Sequence, residues 1–265
     1  MKLTVLCDNN TYIDNYLLGE PAYSVYIENY KDKILFDLGY SNVFIKNAKS
    51  MNIGIEKVNK IALSHGHDDH TRGLKFLPKS MKPKIYYTNG LFEQKFANDI
   101  NISAPYSLKQ MQKKFDITEI NKPTEISKDL YMLGYVPRTQ EFELANNELK
   151  RKENGRIVVD EMDDDTALCY VKSDGLVIIT ACSHSGICNI CEYAKKLFNK
   201  PIKVVIGGLH LLSLSGQAKW TIEYFKNNKG IKLYPCHCTS LHVKAEMINN
   251  ELDIYEVGSG LTLDL

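Results

Sequence analysis

Short apolar runs separated by turn residues open the chain. Lys2–Cys7, KLTVLC, reads as a strand. Residues 22–29, AYSVYIEN, alternate apolar and polar positions and pass through a YKDK turn into ILFDLG at 34–39, the signature of a β-hairpin. Next, SNVFIKNAKSMNI carries a Ser or Asn cap and helical spacing at Val43, Phe44, Ala48 and Met51. VNKIAL, at 58–63, is a short buried-type strand, and a helix is expected to follow from about Thr71. PKIYYT is another strand, with a helix expected from Leu91 to about Asn98.

Residues 100–160 are less regular. Charges are scattered, Pro105, Pro123 and Pro137 interrupt, and NNELKRKENGR is strongly polar. We expect strand pairs and a mobile loop there, an irregular insert rather than a second domain. Beyond it, TALCYV and GLVIITA read as paired strands around the turn KSDG. GICNICEYAKKLF is helical, IKVVIGG a strand, SGQAKWTIEYFKNN a helix and IKLYP a strand. TSLHVKAEMINN is a helix and DIYEVG is expected as the final strand. Both halves run strand pair, helix, then a strand ending in His. That likeness predicts an α/β architecture of two mixed sheets with outer helices, a four-layer αββα sandwich forming a single domain over 1–265.

Histidine sits at particular places in this pattern. Six of the seven copies follow an apolar run: His65, His67 and His70 after KIAL, His184 after LVIITACS, His210 after VVIGGL and His237 after IKLYPC. Loops at strand ends are where an α/β scaffold places its chemistry. In HGHDDH, His65 and His67 are two apart on extended backbone and can point the same way. Asp69 and His70 open the next helix and can fold back over the same point. Neutral imidazoles and a carboxylate suit zinc, manganese or iron, and such a cluster could hold two ions.

Composition narrows the choice. Hydrophobic residues make up 44% and charged residues 25%, and net charge is +1. A dedicated nucleic-acid surface has no support in that balance, and no apolar run reaches bilayer length. The first residues lack a signal-peptide core, so a cytoplasmic location is expected, with the seven cysteines as reduced thiols. Neither a P-loop nor a G-x-S-x-G motif occurs.

H-x-H-x-D-H after a buried strand resembles the metallo-β-lactamase fold superfamily. KILFDLGYSNVFIKNAKSMNI, ALSHGHDDHTRGL, GLVIITACSHSGICNI, VVIGGLHLL and YPCHCTSLHV, spread along nearly the whole chain, are together similar to a branch containing the dihydropterin–ribofuranosylaminobenzene phosphate synthases and metal-dependent hydrolases. The resemblance implies His65 and His67 as ligands of one metal, Asp69 and His70 as ligands of the second, and His184 and His237 as further ligands. Asp68 occupies the motif's variable position. Asp37, in ILFDLG, would support the ligand loop without binding metal. Three departures from the branch stand out. EPAYS replaces a Glu-His-Gly stretch, Arg72 replaces a small residue beside the metals, and DEMDDDTALCY has no His where a fourth metal histidine is usual. A carboxylate among Asp163, Asp164 and Asp165 could substitute.

Other candidates carry alternatives. Cys182 stands near the superfamily's bridging Asp and is either a thiolate ligand or a small buried residue. His210 could bind metal or substrate, or relay protons. Cys236 and Cys238 flank His237, and strand alternation would point both away from it, toward burial. Cys188 and Cys191 match C-x-x-C but lack the second pair of a zinc ribbon, so a buried helix face is expected. Arg138, in VPRTQEFE, either pairs with an anionic substrate group or is a solvated surface residue. His242, within the last helix, is expected as packing or surface, and Tyr12 and Tyr16 lie on a loop that either covers the metals or packs as ordinary aromatics.

The expected function is metal-dependent hydrolysis of a small molecule, phosphorylated or pterin-like, through a metal-activated hydroxide. One or two zinc ions are expected, with manganese or iron as alternatives, and Asp69 or His210 would handle protons. Pterin-type synthase chemistry, a nuclease of the same fold, and a metal-holding sensor or redox protein are the competing readings. Nucleic acid and membrane are not expected as partners, and the sequence leaves the oligomeric state open.

Overall fold

The computed structural model describes residues 1–143, 148–153 and 155–265. In chain order its strands and helices are β1 (Lys2–Cys7), β2 (Ser24–Asn29), β3 (Asp32–Phe36), α1 (Val43–Ser50), β4 (Lys60–Ala62), α2 (Asp68–Thr71), β5 (Lys84–Tyr87), β6 (Gln94–Ala97), β7 (Ile100–Asn101), α3 (Leu108–Lys114), β8 (Asp116–Glu119), β9 (Thr124–Ser127) and β10 (Leu130–Met132). There follow β11 (Leu149–Glu153), β12 (Arg156–Val159), β13 (Leu168–Val171), β14 (Leu176–Ile179), α4 (Ile187–Phe198), β15 (Ile202–Gly208), α5 (Gly216–Asn227), β16 (Lys232–Cys236), α6 (Leu241–Asn249) and β17 (Thr262–Asp264).

These elements form two compact units. The first comprises Met1–Asn121, Asn146–Asp164 and Gly258–Leu265. Its main sheet has the order β17-β1-β2-β3-β4-β5-β8. The β1, β2, β3 and β17 pairings are antiparallel, and those joining β3, β4, β5 and β8 are parallel. Leu6, Leu35, Phe44, Ile61, Leu63 and Ile85 lie in its core, where α1 covers the sheet. A smaller sheet, β12-β11-β6-β7, belongs to the same unit.

The second unit comprises Lys122–Ala145 and Asp165–Val257. Its sheet runs β16-β15-β14-β13-β10-β9, parallel among β14, β15 and β16 and antiparallel elsewhere. All four residues of β14 are buried, as a strand covered on both faces requires. Cys188 and Cys191 present the expected buried face of α4, packed with Ile190, Ala194 and Leu176.

Local patterning misjudged three places. Residues expected as a helix from Leu91 to Asn98 include β6, because Gln94–Ala97 pairs antiparallel with Leu149–Lys152 far along the chain. The helix after the histidine motif begins at Asp68, not near Thr71, and continues as a 3₁₀ segment over Arg72–Phe76. DIYEVG forms only an isolated bridge, Leu233 with Ile254, and the terminal strand is β17. Helix α3 was not anticipated, although its capping box of Ser107 and Gln110 is readable in the sequence. The mobile loop expected over NNELKRKENGR lies partly outside the described residues. Its described parts, β11 and β12, pair as an antiparallel hairpin.

Candidate metal centre

Both main sheets place their candidate residues at the carboxyl ends of parallel strands. In the first unit β3 ends just before Asp37 and β4 just before the Ser64–His70 segment. His65, His67 and His70 are all buried. The His65 ring lies 4.6 Å from that of His67 and 4.3 Å from that of His70, between centroids. A single turn, α2, follows His67 and carries Asp69 and His70 back toward the strand end.

Asp37 organises this cluster. It is fully buried, in the left-handed region at φ 57°. Its Oδ1 accepts the Ser64 backbone N–H at 2.8 Å, and its Oδ2 accepts the Ser64 hydroxyl at 2.6 Å. The same Oδ2 lies 2.7 Å from His70 Nδ1, so that nitrogen carries a proton and donates. With the Ser64 proton committed to Asp37, His65 Nδ1, 2.8 Å from Ser64 Oγ, is the donor of that contact. That leaves Nε2, facing His67 Nδ1, as the ring atom His65 would offer a cation.

His65 Nε2 stands 3.1 Å from His67 Nδ1. Two nitrogens each 2.0–2.1 Å from a tetrahedral zinc would be about 3.3 Å apart. Burial, helped by nearby Lys95 and His70, lowers the His67 pKa to about 3, so this imidazole is neutral at ordinary pH. At His70, burial opposes protonation, but Asp69 and Asp37 outweigh it and hold the pKa well above the usual range. His70 Nε2 is 3.3 Å from Asp69 Oδ2, so a cation and a proton compete for that nitrogen. Three imidazoles, that of His67 held neutral, and a carboxylate fit a divalent transition metal.

The second unit gathers its own candidates at the ends of β14, β15 and β16. Ser183, His210 and His237 all adopt positive φ, at 58°, 49° and 47°. Such a concentration of left-handed non-glycine residues marks a functional loop cluster more often than a turn of convenience. Ser183 Oγ donates to the Gly208 carbonyl at 2.8 Å, and Leu209 N–H to Thr239 Oγ1 at 3.0 Å, tying the three strand ends together. The His184 and His210 rings lie 4.2 Å apart between centroids. Donor atoms of Cys182, His210 and Cys238 lie within 4.8 Å of one another.

Cys238 corrects the expectation drawn from strand alternation. β16 ends at Cys236, and the left-handed turn at His237 directs Cys238 toward Cys182 and the His210 backbone N–H, 3.3 Å away. Burial raises its thiol, but contacts with Cys182 and His210 and the neighbouring imidazoles bring it well below the ordinary cysteine value. Cys236 is buried as expected. Gly207 and Gly208 permit this packing. A Cβ on Gly207, at φ 132°, would stand 2.0 Å from the Thr180 carbonyl oxygen. Gly207→Ala is therefore expected to cost more than the usual 0.5–3 kcal/mol, on the order of 4 kcal/mol, in urea unfolding.

A family model for the metallo-beta-lactamase superfamily matches residues 17–198. The chain belongs to that superfamily. The uncharacterized protein MJ0448 of Methanocaldococcus jannaschii is 34% identical over 94% of this chain and 95% of its own. The 7,8-dihydropterin-6-methyl-4-(beta-D-ribofuranosyl)-aminobenzene-5'-phosphate synthase of the same organism is 30% identical over 82% of this chain and 78% of its own. Among solved structures, Tm1679, described as a metal-dependent hydrolase of the beta-lactamase superfamily, superposes with a TM-score of 0.88. It is 29% identical and covers 100% of this chain and 99% of its own. YhfI of Bacillus subtilis, with a TM-score of 0.60 at 14% identity, covers 99% of this chain and 98% of its own and shares the metallo-beta-lactamase fold. No helix among the described residues is long and apolar enough to cross a membrane.

Other candidates of this metallo-beta-lactamase superfamily chain fall as follows. Asp164 is already committed: its Oδ1 accepts from Lys95 Nζ at 2.9 Å and its Oδ2 from the Gly66 N–H at 2.8 Å. Asp165 Oδ2 accepts the Ser185 N–H at 2.8 Å. Both oxygens of Asp164 are thus engaged, and one oxygen of Asp165. Arg72 is half-buried with its guanidinium 4.2 Å from the Tyr40 ring centroid. Gly73 beside it is obligatory, since a Cβ there would lie 2.1 Å from the Leu38 carbonyl oxygen. Arg138 precedes a clamp: Asn189 Oδ1 accepts from Thr139 N–H at 2.7 Å and Gln140 N–H at 2.8 Å. Glu143 accepts the Cys188 and Asn189 N–H groups at 2.9 and 2.8 Å, capping α4. His242 and Tyr16 are exposed. Sequence reasoning missed Ser64, Lys95, Glu143 and Asn189. Only Glu143 left a signal, as an acidic residue within the PRTQEFE motif.

Proposed function

We propose that this chain is a metal-dependent hydrolase of small organic molecules carrying a phosphate or a pterin-like group. One observation carries the reading: Asp37 takes the Ser64 hydroxyl and lies against His70 Nδ1, and Ser64 lies against His65 Nδ1, so Nε2 is the atom each ring would offer a metal. The ligand assignment is His65, His67, Asp69, His70, His184 and His237, following the family resemblance. A zinc-type cation, or manganese or iron, would acidify water and stabilise negative charge developing on an oxygen. The chain's own residues supply the rest. His67 stays neutral and needs no deprotonation before ligation. Asp69, with its side chain 29% exposed, can hold a proton from solvent or substrate, and His210 is the second proton-handling candidate. Arg72 and Arg138 are assigned to an anionic substrate group. The synthase relative supports phosphate and pterin as the substrate class and keeps a transferase outcome open to test.

Metal analysis of the purified protein should find one or two equivalents of zinc, manganese or iron. Phosphomonoester and phosphodiester p-nitrophenyl substrates should be cleaved, with activity lost on chelation and restored by the metal. Formation of the relative's pterin product would shift the assignment to synthase chemistry. A protein that contains no transition metal, and that zinc and manganese fail to stabilise against heat, would sink the hydrolase reading.

A further inference from the structure

The loop that carries His65 and His67 rests on a buried charge cluster with no counterpart in the expected ligand set. Lys95 is 1% exposed. Its ammonium lies 2.6 Å from Asp160 Oδ2 and 2.9 Å from Asp164 Oδ1. Asp164 spends its other oxygen on the Gly66 N–H, between the two histidines. Gly66 has no room to shift. A Cβ there would stand 2.1 Å from the Leu91 carbonyl oxygen and 2.8 Å from Lys95 Cε. The segment around Lys95 grips the loop from a second side as well. His67 bridges Ser103, Asp68 N–H donates to the Ile102 carbonyl at 2.8 Å, and Ile102 N–H donates to the Lys95 carbonyl at 3.0 Å.

A buried ion cluster is weak support for stability in itself, since apolar side chains of similar volume would serve as well or better. Its retention against the Gly66 amide calls for another account. We propose that Lys95 and Asp164 are positioning residues: Lys95 orients the Asp164 carboxylate, and Asp164 fixes Gly66 so that His65 Nε2 and His67 Nδ1 converge on one cation. This rests on reading that loop as a metal ligand pair. Asp160 shares the same ammonium but holds the Met162 N–H, at 3.0 Å, rather than the ligand loop. The two carboxylates thus provide a matched comparison. Each removes one charge from the same cluster, and only one touches Gly66.

The test is cobalt(II) titration followed by visible absorption, with thermal unfolding measured in parallel. Asp164→Ala and Asp160→Ala should both lose stability. Only Asp164→Ala should lose cobalt affinity, by about 10–100-fold, with an altered d–d spectrum, as expected when a ligand's support is removed. Equal cobalt affinities for the two variants would overturn the proposal. Hydrogen exchange in the unmutated chain gives a reading independent of variant folding: the Gly66 amide should be protected like a core strand amide. Exchange at open-loop rates would equally overturn it. If the unmutated chain binds no cobalt, the metal reading fails, and the Gly66 protection still reports on the clamp.

Discussion

His67→Ala is expected to abolish hydrolysis, with a fall of about 10³-fold or more in kcat/KM, which corresponds to the several kcal/mol that a metal contributes to charge stabilisation. The side chain is buried, and its neutral Nδ1 points at His65 Nε2 across 3.1 Å. Metal content should drop by at least one equivalent, with circular dichroism little changed and the unfolding midpoint lowered by the lost metal-linked stabilisation. His242→Ala, on the exposed surface of α6, should leave both quantities alone. Full metal content in His67→Ala would show that this histidine is not a ligand.

Asp37→Asn should have the second largest effect, and it acts on two links at once. Asparagine tolerates the left-handed backbone at φ 57°, so local strain stays small. Its amide, however, has one oxygen and one NH2, so it cannot accept the Ser64 backbone N–H as well as the Ser64 hydroxyl and His70 Nδ1–H, as the two Asp37 oxygens do together. One buried donor is left unsatisfied, at a cost of roughly 1–3 kcal/mol. The constraint that keeps the His65 and His70 protons on Nδ1 also weakens, because a neutral amide replaces the carboxylate. Metal affinity should fall by about 10–100-fold, measured by competition with a chelating dye. Asp37→Ala should lose more stability in urea, because alanine adds the cost of the left-handed conformation, about 1 kcal/mol. Unchanged metal affinity in Asp37→Asn would mean that the relay does not set the tautomers.

The residues proposed to do chemistry were legible because ligation would constrain their type and spacing. HGHDDH, ILFDLG and the histidines after three later strands stand out from a single sequence. The residues that position them were not. Lys95 lies in a stretch with helical spacing, and it became a strand residue through pairing with β11, more than fifty residues later. Asp164 looked like a candidate ligand because a carboxylate's partner cannot be read from its neighbours. Cys238 was placed by alternation, a rule that ends where β16 ends, at the left-handed turn of His237.

By itself the sequence determined the alternation of short buried strands with amphipathic helices, the superfamily, and the donors offered at each strand end. Those properties follow from side-chain chemistry and from periods of two and 3.6 residues, both local. Tertiary structure alone decided which strands run parallel, and so which strand ends share an edge. It also decided which polar groups meet in the interior: Asp37 with Ser64 and His70, Lys95 with Asp160 and Asp164, and Asp164 with Gly66. The physical reason is that a buried charge or N–H must find a partner wherever the fold brings one, at a sequence separation that no local pattern encodes.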